Sequence, residues 1–269
     1  MFIDAHTHAF SDKIAEKAVE QLITYYRLPT SYGGRLTDLV THAEDAGMDA
    51  LVVLVAATKP AQVKPANDWI LSHPWSALPH CPQIIPFGAY HTADPHWQAE
   101  IARLRTGGVR GIKLHPEFQG IDLADPRLLP MLEEIAGEMV LMVHVGDPVV
   151  NADNLSTPRK VARLLELFPR LTVIAAHLGG YCLWDEAYEH LAGRRLYLDT
   201  SSAIQFIDPA LLRRIIEKHG TDYILCGSDY PLSSPKDARE AIERLPWLAT
   251  ADKAGILGDN CARLFGIAP

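Results

Sequence analysis

The chain has 269 residues, enough for one large domain or two small ones and for a sizeable core. Its hydrophobic fraction of 48% and charged fraction of 22% are those of an ordinary globular protein, and a formal net charge of −8 argues against a nucleic-acid surface, which needs clustered Lys and Arg. No run approaches the roughly 18 apolar residues of a membrane span, and no basic-then-apolar leader is visible at the N-terminus, so a cytoplasmic protein is expected.

The first apolar run, 2–8, reads Phe2-Ile3-Asp4-Ala5-His6-Thr7-His8. Alternation along a strand puts His6 and His8 on one face, about 7 Å apart, where two imidazoles can share a metal ion. Two helical patterns follow, 11–27 and 36–46, separated by a segment 28–35 with Pro29, Gly33 and Gly34 that reads as a loop over a site. Further strand-like runs, rich in Val, Ile and Leu, fall at 50–57, 83–91, 110–116, 139–146, 172–179, 196–202 and 223–230. Runs apolar nearly throughout are typical of parallel strands covered on both faces. Helical patterns lie between them near 60–72, 95–106, 126–137, 158–168, 184–192 and 208–219. Asp94-Pro95, Asp125-Pro126, Thr157-Pro158 and Asp208-Pro209 each set a capping residue before a proline at the first helical position.

Eight alternating strand–helix units predict an α/β fold of the (β/α)8 TIM-barrel type. The rival, an open doubly wound sheet, usually carries a Gly-rich phosphate turn after its first strand, where this chain has His-Thr-His. Residues 1–269 read as a single barrel domain, with a helical extension from about 235 to 269.

Ligand-type residues recur at strand ends: His6 and His8 on the first, His144 on the fifth, His177 on the sixth and Asp229 on the eighth. A barrel gathers those ends in one mouth, which is how a catalytic metal site is assembled from distant segments. The plainer readings are a backbone-bonded structural histidine for His144 and a helix cap before Pro231 for Asp229. Lys113 and His115 share a face of the fourth strand. Lys113 reads as a buried amine paired with Asp4 or another inward acid, since an unpaired buried charge is costly. His115 and, more weakly, His91 read as substrate-facing or supporting groups. Asp199 reads either as a partner for a ligand histidine or as a structural cap.

At these residues the chain resembles the amidohydrolase superfamily, in its amidohydrolase-2 branch, which includes aminocarboxymuconate-semialdehyde decarboxylase and hydrolases. The resemblance rests on Ile3-Asp4-Ala5-His6-Thr7-His8, Gly111-Ile112-Lys113-Leu114-His115-Pro116, His144, Ala176-His177-Leu178-Gly179-Gly180, Gly227-Ser228-Asp229-Tyr230-Pro231 and Gly258 through Phe265. It implies metal ligands at His6, His8, His144 and Asp229 and a catalytic histidine at His177, with a further ligand as the alternative role for His177. In binuclear relatives of the superfamily a strand-four lysine is carbamylated, which leaves that state open for Lys113. The implied cofactor is one divalent ion, Zn2+ first, with Mn2+ and Fe2+ as alternatives.

A metal-dependent hydrolase of a small-molecule C–N or C–O bond is the leading expectation, with Asp229 and His177 as its catalytic groups. The alternative is a decarboxylase of an unsaturated or aromatic acid. A decarboxylase should show an arginine carboxylate clamp, and no arginine directly follows a strand; Arg27, Arg35 and Arg159 lie at a distance. A small-molecule substrate is expected, with no nucleic acid and no membrane, and a homodimer is left open. Cys81, Cys182, Cys226 and Cys261 are widely spaced and read as free thiols. His42, His190 and His219 read as surface or helix-end residues, and Trp184 as a candidate for the mouth.

Overall fold

The computed structural model describes residues 1–268. Eight parallel strands lie in sequence order: β1 (Ile3–His8), β2 (Ala50–Leu54), β3 (Gln83–Ala89), β4 (Gly111–Leu114), β5 (Val140–Val143), β6 (Thr172–Ala175), β7 (Tyr197–Asp199) and β8 (Ile224–Leu225). Backbone bonds from Ala5 N–H to the Cys226 carbonyl (2.8 Å) and from Asp229 N–H to the His6 carbonyl (2.9 Å) bring β8 against β1. The result is the expected (β/α)8 barrel. Every strand is found where its apolar run lies, and most stop short of the run's C-terminal end. The residues beyond them leave the sheet to become site residues; His177 and Asp229 hold φ of 60° and 62°. Left-handed φ at non-glycine residues is costly and concentrates at functional sites.

Side chains alternate between two apolar layers. Leu51 and Val53 face outward to the helices, whereas Val52 and Leu54 belong to a smaller inner cluster with Phe87, Met142 and Ile174. Phe265, near the C-terminus, packs edge-on against Phe87 with ring centroids 6.0 Å apart, and its carbonyl accepts from Arg110 beside the start of β4. It therefore plugs the end of the barrel opposite the mouth.

The strand β1 carries one extra residue between Asp4 and Thr7 relative to β2. Such a bulge switches side-chain parity. Ile3 and Ala5 fill the inner cluster below, and His6 and His8 still point inward above.

Between β1 and β2 stand two helices, α1 (Ala15–Tyr26) and α2 (Leu36–Asp45). One helix suffices for a barrel unit, so α1 is an insertion. It ends at Arg27 in the left-handed region, φ 56°. The Asp125, Thr157 and Asp208 side chains cap their helices as the sequence predicts. Asp94 instead accepts from His96 N–H, and that helix starts at Trp97. The C-terminal region contributes helices at Pro235–Glu243, Thr250–Ala254 and Asn260–Phe265. All four cysteines are free. No helix among the described residues is long and apolar enough to cross a membrane.

Candidate active site

Three side chains converge in the mouth. His6 Nε2 lies 3.2 Å from His8 Nε2 and 3.4 Å from Asp229 Oδ1, and His8 Nε2 lies 3.7 Å from the same oxygen. Lys113 reaches up from β4, its Nζ 3.2 Å from His6 Nε2. The expected Asp4 partner for Lys113 is not used. The bulge turns Asp4 away, and its Oδ1 accepts from the N–H groups of His6 (3.1 Å) and Ser228 (3.0 Å). Burial pushes the Lys113 amine down to about 8, against the opposing pull of Asp199 and Asp229.

Asp199, at the end of β7, organises this cluster from behind. Its Oδ2 lies 2.9 Å from His6 Nδ1, and its Oδ1 accepts from the backbone N–H groups of His177 (3.1 Å) and Ser201 (3.0 Å). Burial would raise the Asp199 carboxyl, but the charge and hydrogen bond of His6 outweigh it and hold the group at about 2. An ionised Asp199 fixes a proton on His6 Nδ1 and leaves the Nε2 lone pair facing Lys113 Nζ, His8 and Asp229. This carboxylate–histidine pairing is the usual support for a metal-bound imidazole.

His144 and His177 form a second pair. His144 Nε2 lies 3.0 Å from the Gly146 carbonyl, and His177 Nδ1 lies 2.8 Å from the Ser201 carbonyl. Carbonyls accept only, so each of these nitrogens carries the proton. The two remaining nitrogens, His144 Nδ1 and His177 Nε2, face each other at 2.9 Å. The ring of His177 stands between the others, 4.6 Å from that of His144 and 5.3 Å from that of His6. His144 is thus in the mouth but turned toward His177, outside the His6–His8–Asp229 triangle.

The donor set fits a divalent cation. Imidazole lone pairs and a carboxylate oxygen point at one small volume, and like acceptors do not converge without a cation or a proton between them. Burial would raise the Asp229 carboxyl, but His6, His177 and His8 outweigh it and hold the group below the usual carboxylate range. Ser202 Oγ donates to its Oδ2 at 2.6 Å. His115, Glu117 and His144 also lie close together. The rings of His115 and His144 are stacked at 4.0 Å and 12°, so their in-plane lone pairs run side by side and do not meet at one ion.

The rim is aromatic. His115 is sandwiched between His144 and Phe118, the latter at 3.9 Å and 3°. Tyr26, from α1, comes within 2.9 Å of His115 Nε2, and Tyr25 O–H donates to Asp147. The Trp184 indole donates to the His177 carbonyl at 3.0 Å. Tyr25, Tyr26, Ser201 and Ser202 had no sequence signal that distinguished them from ordinary helix or loop residues. His91 has only a local role: its Nδ1 accepts from Ala93 N–H. His219 ends its helix, Pro209–His219, which is one of its two expected places, but is buried there, its Nδ1 accepting from Gly193 N–H and its Nε2 lying 3.1 Å from the Leu196 carbonyl. Arg27 and Arg159 are exposed, and Arg35 lies near Asp12, so no arginine enters the cluster.

The sequence matches the amidohydrolase family model over residues 3–267. No curated protein matches it in sequence. Among solved structures, an uncharacterized TIM-barrel protein from Bordetella bronchiseptica superposes with a TM-score of 0.79 at 20% identity, covering 99% of this chain and 98% of that one. A 2,6-dihydroxybenzoate decarboxylase from Rhizobium gives 0.70 at 16% identity, over 99% and 98% of the two chains. A 5-carboxyvanillate decarboxylase from Novosphingobium aromaticivorans, complexed with manganese and 4-hydroxy-3-methoxy-5-nitrobenzoic acid, gives 0.74 at 15% identity, over 99% and 96%. With its sequence matched almost end to end and its barrel formed as the motifs require, the chain belongs to the amidohydrolase family, in the amidohydrolase-2 branch.

Proposed function

We propose that this protein is a metal-dependent decarboxylase of a small, planar, unsaturated or aromatic acid. This reverses the order of the two reactions expected from sequence. The observation that carries it is Lys113. Its buried ammonium beside His6 supplies, from the barrel floor, the carboxylate clamp that no arginine provides. The reaction of two fold relatives supports the same reading.

His6, His8 and Asp229 are the proposed ligands, joined by His144 if its Nδ1 turns from His177 Nε2 to the ion; Zn2+ and Mn2+ both suit nitrogen and carboxylate donors. When bound, the ion supplies Lewis-acid charge against an anionic substrate group. The chain's own residues do the rest. Lys113 orients the carboxylate. The stacked plane of Phe118, His115 and His144 offers a flat wall to a ring. As the carbon–carboxylate bond breaks, its electron pair stays on the carbon, which must then take a proton. His177 is the proposed donor, delivering it from Nε2, while its Nδ1–H stays on the Ser201 carbonyl.

A panel of 2,6-dihydroxybenzoate, 5-carboxyvanillate, simple lactones and simple amides, run with Mn2+- and Zn2+-loaded protein, tests the reading. CO2 release from an acid, lost in Lys113→Met, supports it. Turnover of lactones or amides without CO2 from any acid refutes it.

A further inference from the structure

The mouth is crossed in this structure by a helix that the barrel does not need. The insertion α1 leaves β1 and ends in Tyr25 and Tyr26, which bond Asp147 after β5 and His115 after β4. Those strands stand across the ring from β1 in the eight-strand order. The cluster beneath is largely covered: His6 is 0% exposed, His177 1% and His115 6%, while the His8 and Asp229 side chains keep 14% and 11% of their surface open. A substrate group that lies beside His115 must part the Tyr26 contact.

The polarity of the Tyr26–His115 contact is fixed by counting partners. His115 Nδ1 is buried with no hydrogen-bond partner among the described residues, and Tyr26 Oη bonds His115 Nε2 at 2.9 Å. If the phenol donates, one group, the Nδ1–H, is left unpaired. If the imidazole donates instead, both the phenol hydrogen and Nδ1 are left unpaired. The first arrangement costs less. Burial and the charge of Asp229 also keep the phenol protonated.

We propose that Tyr26 is a specificity-determining residue that, with His115, receives a neutral hydroxyl of the substrate. A hydroxyl both accepts and donates, so it can enter between the two: Tyr26 O–H donates to it and it donates to His115 Nε2. A carboxylate has no hydrogen to give the imidazole and does not fit the gap. The walls suit a hydroxylated ring, because the Tyr26 ring lies 6.2 Å from His144 and 6.0 Å from Tyr181, and His115 is already stacked on two planar neighbours. The inference rests on the proposed reaction only for the choice of aromatic acids as probes.

Calorimetry on metal-loaded protein tests it without turnover. The probes are salicylate and the 2,3-, 2,4-, 2,5- and 2,6-dihydroxybenzoates, which add one hydroxyl at each ring position. At least one isomer is expected to bind wild type about tenfold more tightly than salicylate, and Tyr26→Phe is expected to erase that difference while still binding salicylate. Tyr25→Phe, which frees only the Asp147 tether, is expected to shift all five affinities together and keep the ratio. The proposal is overturned if no isomer outbinds salicylate, or if the preference survives in Tyr26→Phe. Preferential binding without CO2 release would count against decarboxylation and leave the role of Tyr26 standing.

Discussion

His144 Nδ1 and His177 Nε2 face each other at 2.9 Å with both of their other nitrogens committed to carbonyls. Two neutral imidazoles so placed oppose lone pairs unless one proton lies between them. Burial lowers both imidazoles, so a proton shared between them is weakly held and ready to leave, and the pair separates two roles for His177. As the proton carrier, His177→Asn should keep the metal and lose about 10²–10⁴-fold in kcat. Metal content by elemental analysis checks this; a variant that loses metal along with rate would make His177 a ligand instead.

Asp199 touches no substrate but decides the tautomer of His6 and anchors the backbone of His177. Asp199→Asn removes the charge and lets an amide N–H face His6 Nδ1. Metal affinity should fall about 10–100-fold, as for other carboxylates behind a metal-bound histidine. Competition with a chelator gives the number. The fold should persist, because the inner and outer apolar layers do not depend on this residue.

Lys113 gives a pH signature. Its ordinary value is 10.5 and burial brings it to about 8 in the folded chain. Between these values the unfolded chain binds more protons than the folded one, so this group's penalty is full below pH 8 and is relieved as pH rises toward 10.5. In metal-free protein Lys113→Met should therefore be more stable than wild type at pH 7, by up to about 3 kcal/mol. The advantage should shrink as pH rises. Urea unfolding of both proteins at pH 7 and 9.5 checks this, and the difference between them cancels the tyrosines and cysteines that titrate in the same range. A constant difference would mean the amine is not desolvated.

Much of this site was legible because a barrel turns strand ends into neighbours. A histidine or aspartate closing an apolar run is a mouth residue once eight such runs are counted, and His6, His8, His177 and Asp229 were placed on that ground alone. The bulge in β1 is not legible, because it exists only relative to the pairing with β2; it takes Asp4 away from Lys113 and leaves the other inward acids, Asp199 and Asp229, to act on the amine. The amphipathic pattern of α1 says that one face is covered but not by what. Tyr25 and Tyr26 looked like ordinary aromatics until the helix was seen to cross the mouth. The helix-end place of His219 is legible but its burial is not, because a polar residue at a helix end resembles a surface one whether or not a carbonyl waits for it inside.

The central claim is that this cluster breaks a carbon–carboxylate bond. Turnover of the best acid from the panel in D2O, followed by mass spectrometry of product and gas, tests it most directly. One CO2 released per turnover and one solvent deuterium on the carbon that lost it are expected. Product carrying oxygen from 18O-labelled water, with no CO2 released, would contradict it and return the site to hydrolysis.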